Sequence, residues 1–236
     1  ALLGEGSVDT LGIFLYESLD GRVDEEGEET IIEHIDAGGA IAWVIMSLGA
    51  IGILLSVVRA LILTFSGGRE EKVLAAAEPH VREGQLGEAA RAADEIRGSA
   101  ARVTTSVFRS LSEGADRVDE AVSGAMLGES RNLQRFGTVI LVIAAVAPLL
   151  GLLGTVTGMI STFDVITKFG TGDPKMLSGG ISTALVTTEL GLVVAIPTLL
   201  LGNILKSWAE GIEAKAERTA LRLVTLHTGE ADQDEA

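Results

Sequence analysis

A chain of 236 residues that is 47% hydrophobic yet carries a formal charge of −15, with a mean hydropathy of +0.39, has to keep its apolar and charged residues apart, which excludes an ordinary soluble acidic domain. The lack of cysteine excludes disulfides, thiolate metal sites and a thiol nucleophile. No basic face exists for a nucleic acid.

The numbering opens at Ala1 rather than Met, so removal of a leader and trimming of the chain both stay open. Residues 1–38 form an acidic N-terminal segment with eleven Asp plus Glu and one basic residue, Arg22. Within it, Val8 to Leu19 has helical spacing, with Leu11, Leu15 and Leu19 on one face. Two readings stand: a short amphipathic helix on the protein's own outer surface, or one lying in the membrane–water interface. Asp20 to Thr30 reads as a solvated acidic linker.

Three runs with at most one charge each follow, each long enough for the ~20 residues that cross a hydrocarbon core. The first is assigned to residues 39–65, with Arg59 near its end placed to snorkel toward the headgroups. The second is residues 136–163, which hold no charge. The third, residues 181–205, contains Pro197 and one acid, Glu189. Between the first two lies a helical region, residues 66–135, with ten Lys plus Arg. Its Glu78-Pro79 reads as a helix start, Gly84, Gly87 and Gly98 as breaks, and the stretch from Thr104 as a helix projecting toward the second span with little interruption. Residues 164–180 read as a short loop, and residues 206–236 as a helix through Arg222 followed by a frayed acidic end. The excess of Lys and Arg in 66–135 puts that region and the tail in the cytoplasm, and the N-terminal segment and the 164–180 loop outside. The expected fold is an all-α, polytopic membrane protein with three transmembrane helices and extended cytoplasmic helices.

The polar groups inside the spans are the candidate functional residues. Gly151, Gly154 and Gly158, with Ala184 and Gly191, fall at the spacing of a packing seam, and Pro148 and Pro197 interrupt the two helices. The hydroxyls of Thr155, Thr183, Thr187 and Thr188 either bond their own helix or line a hydrated path. Thr155 and Thr188 each lie about 11 to 12 Å below the outer end of their spans, level with one another if the helices are antiparallel neighbours. Glu189 reads either as a proton or cation relay or as a group hydrated, or paired with a neighbouring subunit's base, near the outer side. No base within the spans is an evident partner, and His34, His80 and His227 read as separate surface residues. No nucleophile–base pair or metal cluster points to an enzyme, and no cofactor is expected.

Ala147 to Met159 (APLLGLLGTVTGM) and Ile181 to Thr188 (ISTALVTT) with Gly191 to Pro197 (GLVVAIP) resemble the second- and third-span signatures of the ExbB/TolQ/MotA proton-channel family, closest to ExbB-like members. The resemblance implies a homopentamer in the bacterial inner membrane around a dimer of a single-span ExbD/TolR-like partner, with a TonB-like protein beyond. It implies a motor driven by the proton motive force that energises TonB-dependent outer-membrane transport, with H⁺ as the transported ion and Na⁺ as the alternative. The family threonines that line the path map onto Thr155 and Thr188, while Thr183 stands where many ExbB proteins carry glutamate. A TolQ-like motor in envelope constriction and a non-conducting membrane scaffold are the alternatives.

Overall fold

A computed structural model describes residues 30–113, 118–170 and 174–234. The amphipathic segment read at Val8 to Leu19 lies outside the described residues. Among the described residues every element is an α-helix: α1 (Ile31–Ala37), α2 (Gly39–Ser66), α3 (Glu70–Arg82), α4 (Leu86–Asp94), α5 (Ser99–Ser112), α6 (Val118–Leu133), α7 (Gly137–Phe169) and α8 (Pro174–Asp234).

Three of them, α2, α7 and the first half of α8, are long and apolar enough to cross a bilayer. They pack as a bundle whose contacts are set by small side chains. The buried stripe of α2 is Ala42, Ile45, Gly49, Gly52, Ser56, Arg59, Leu63 and Ser66, spaced alternately by three and four residues. Gly49 lies against Val194, and Gly52 against Thr198 of α8 and Ile143 of α7. On the opposite faces, Leu149, Leu152, Val156, Ile160 and Phe163 of α7 and Leu185, Val193 and Ile196 of α8 stay exposed. Such apolar bands are stable only against lipid or another protein.

At a rise of 1.5 Å per residue, the 61 residues of α8 extend about 90 Å. Its second half is the pillar on which α3, α5 and α6 pack, with α4 held against α3 and α5. Val73, Ala77, Val81, Ala89, Ala93, Val103, Val107 and Phe108 meet Ala216, Ala220, Leu223 and Val224 in one core. The hydroxyl of Ser99 and the guanidinium of Arg102 both donate to Glu129, tying the start of α5 to the end of α6 and closing the two into an antiparallel hairpin. Glu129 is 4% exposed, and its hydrogen bond holds the Arg102 pKa above its ordinary value.

Several element boundaries depart from those expected. Pro79 lies inside α3, near its end, rather than starting a helix. Gly87 is helical within α4. The run from Thr104 is not one projecting helix: it ends at Ser112, resumes as α6 and stops again at Leu133, because α5 and α6 fold back to bury apolar faces on α8. A second interruption follows at Gln134 to Phe136, where Phe136 adopts φ 64° to turn the chain into α7. The segment expected as a loop at 164–180 is mostly helix, since α7 runs to Phe169 and α8 starts at Pro174. The backbone of α8 continues to Asp234, through most of the stretch read as frayed.

Candidate ion-pathway site

The seam between α7 and α8 is built where side chains are missing. A Cβ on Gly151 would lie 2.9 Å from the Thr187 carbonyl oxygen and 3.1 Å from the Thr188 Cα. On Gly154 it would lie 2.1 Å from the Thr187 hydroxyl, and on Gly158 2.6 Å from the Gly180 carbonyl oxygen and 2.9 Å from the Ala184 Cβ. A Cβ on Gly191 would in turn lie 2.9 Å from the Ala147 carbonyl oxygen. Residue numbers rise along α7 as their partners fall along α8, so the two helices are antiparallel and their backbones touch. Pro148 is half-buried beside this seam, whereas Pro197 faces outward.

The seam sets the level of the threonines. Thr187 is fully buried and donates to the carbonyls of Thr183 and Ala184, so its hydroxyl is spent within α8. Thr188 is half-buried, donates to the Ala184 carbonyl at 3.2 Å and reaches the Gly151 carbonyl across the seam at 3.4 Å. Thr155 is half-buried and donates to Leu152 at 2.7 Å. It lies between Gly154, opposite Thr187, and Gly158, opposite Ala184, hence within about one turn of Thr188. With each hydroxyl proton committed to a carbonyl, the lone pairs of Thr155 and Thr188 are left to accept from water or to approach a cation.

Glu189 has a partner that the sequence reading did not name. Its carboxylate meets the His34 Nε2 at 3.3 Å, with the side chains 60% and 35% exposed respectively. A base lies on α1 of the same chain, so His34 is not an isolated surface residue. Six residues nearer the start of α8, the Thr183 hydroxyl donates to the Ala37 carbonyl at 2.9 Å. The α1–α2 corner, where Gly39 takes φ +65° and Trp43 donates to Asp36 at 2.9 Å, therefore lies along α8 beside the threonines. Sequence reasoning missed His34 because the search for a base stopped at the span boundary. Its place eight residues before Ala42, the first buried residue of α2, was the available signal.

Arg59 also departs from expectation. It does not snorkel outward but is 2% exposed, with its guanidinium over Gly137, the first residue of α7. Its position seven residues after Gly52 on the buried stripe of α2 dictates this. His80 is half-buried, with its Nδ1 enclosed, rather than a surface group.

The sequence profile of the MotA/TolQ/ExbB proton channel family matches residues 95–218, which include α7 and most of α8. Among curated relatives, the putative biopolymer transport protein ExbB-like 3 of Synechocystis is 44% identical over 89 residues, 37% of this chain and 42% of that protein. Biopolymer transport protein exbB1 of Vibrio cholerae is 37% identical over 116 residues, 46% of this chain and 51% of its own. The putative ExbB homolog of Methanothermobacter thermautotrophicus is 28% identical over 168 residues, 71% of this chain and 60% of the relative. The chain spans about half the length of the curated relatives it matches.

Proposed function

Because the chain belongs to the MotA/TolQ/ExbB proton channel family, we propose that it is the channel-side subunit of an ion-driven motor of the ExbB kind. In this reading several copies, five by resemblance, stand in a bacterial inner membrane and enclose a pair of single-span, ExbD/TolR-like helices. The α3–α6 end lies in the cytoplasm and α1 outside, following the Lys and Arg of residues 66–135. Ion passage along the α7–α8 face turns the partner pair, and a TonB-like protein carries the motion to outer-membrane uptake. The ion is H⁺. Each charge crossing 100 mV delivers about 2.3 kcal/mol, so a few ions suffice for a mechanical step.

The observation that carries this reading is the pair of half-buried hydroxyls, Thr155 and Thr188, level on two antiparallel helices whose outer faces are apolar. A scaffold without conduction needs the glycine seam but has no use for polar groups at a shared depth. The test is Thr155→Val with Thr188→Val, which keeps shape and removes both oxygens. Ion flux through vesicles holding the complex with its single-span partner is expected to fall at least tenfold with assembly unchanged. Undiminished flux would refute the pore-lining role and favour the scaffold.

A further inference from the structure

A cavity of about 430 Å³ opens at the α3–α6 end of the membrane bundle, lined among others by Arg59, Gln134, Gly137, Thr138, Lys206 and Glu213. Two of its side chains hold enclosed polar atoms that have no hydrogen-bond partner. The Arg59 Nε and Nη1 are enclosed and unbonded, and Nη2 reaches only the Leu133 carbonyl oxygen at 3.5 Å. Glu213 Oε1 is likewise enclosed and unbonded. Burying an unpaired guanidinium or carboxylate oxygen is among the costliest arrangements a fold can hold, so a missing component that supplies both an acceptor and a donor is expected.

The surroundings specify its charge. Arg59 lies over Gly137, where a Cβ would come within 2.3 Å of Nη1, so its cation sits at the positive end of the α7 dipole. Cation and helix terminus together call for an anion such as a phosphate. A purely anionic group would also face the carboxylates of Glu210 and Glu213 on the α8 wall, and the Lys206 there already lies 3.9 Å from Glu210. A group carrying a phosphate and a primary ammonium satisfies both walls: phosphate oxygens on Arg59 and the first turn of α7, N–H donors on Glu213. A choline headgroup lacks the N–H, and a glycerol headgroup lacks the positive charge. The depth fits as well, since Arg59, Gly137 and Lys206 each stand where an uncharged run meets charge, the level of lipid phosphates.

We propose that this cavity is a binding site for a phosphoethanolamine headgroup, supplied by the adjoining lipid leaflet. The site depends on the chain's membrane placement but not on the threonine pathway, so lipid retention and ion flux fail separately. The full-length complex is purified, exchanged into mixed micelles with equal phosphatidylethanolamine, phosphatidylglycerol and phosphatidylcholine, and weighed intact by mass spectrometry. Retention of phosphatidylethanolamine at least tenfold above the other two is expected. Arg59→Gln should abolish retention, and Glu213→Gln should erase the preference over phosphatidylglycerol. Should Arg59→Gln fail to assemble, the wild-type headgroup competition and Glu213→Gln still decide. Equal retention of all three lipids, or undiminished retention in Arg59→Gln, overturns the site. Displacement of the lipid by soluble phosphoethanolamine at matching concentration overturns the lipid source and supports the free headgroup in its place.

Discussion

Gly154→Ala probes the seam on which both the bundle and the proposed pathway depend. The added methyl carbon would lie 2.1 Å from the Thr187 hydroxyl oxygen, 2.4 Å from its Cβ and 2.8 Å from its Cγ2. The first of these is 1.3 Å short of the 3.4 Å at which ordinary contact begins. Thr187 cannot swing aside, because it is fully buried and its hydroxyl is bonded to two carbonyls of its own helix. The helices must separate or Thr187 must leave its rotamer, and overpacking of this kind costs about 1–3 kcal/mol. For a chain of this size, 2 kcal/mol corresponds to roughly 4–8 °C in Tm. Thermal unfolding of the purified protein, followed by circular dichroism, is the assay. Thr187→Gly removes all three clashing atoms and should restore part of the loss in the double variant, a positive coupling that neither single change shows. Gly124→Ala on α6, which meets nothing within 4 Å, is the control and should be neutral or slightly stabilising. A Tm for Gly154→Ala equal to wild type, or additive losses in the double variant, would refute the claim that α7 and α8 touch through this position.

Three further outcomes follow from other parts of the molecule. Glu189→Gln keeps the shape of the side chain but removes its charge beside His34; ion-coupled flux should drop while copy number is unchanged, and full flux would confine Glu189 to holding α1 in place. Arg102→Ala leaves Glu129 buried with only the Ser99 hydroxyl, at a cost of about 1–3 kcal/mol, visible as earlier melting of the helical domain; an unchanged Tm would show that the hairpin does not rely on this pair. Gly98→Ala places a side chain at φ +140° and 3.2 Å from the Ser66 carbonyl oxygen, costing about 1–3 kcal/mol in backbone strain; wild-type resistance to limited proteolysis between α4 and α5 would contradict it.

What the sequence by itself determined is the part governed by solvent. Runs of ~20 uncharged residues have one stable home, and Gly151, Gly154 and Gly158 at helical spacing mark where a neighbour comes close. The membrane-spanning helices and the family were legible for that reason, and so was the choice of Thr155 and Thr188 as the residues to test. What only the tertiary structure decided is how distant segments are brought together. The hairpin of α5 and α6 on α8 replaced a projecting helix, because amphipathic helices rich in small apolar residues gain more by burying their faces on α8 than by extending into water. The inward turn of Arg59, the pairing of His34 with Glu189 and the bond from Thr183 to Ala37 each join groups more than 70 residues apart. Local pattern carries no term for such contacts: periodicity says which face a residue occupies, and only the packed bundle says what that face meets.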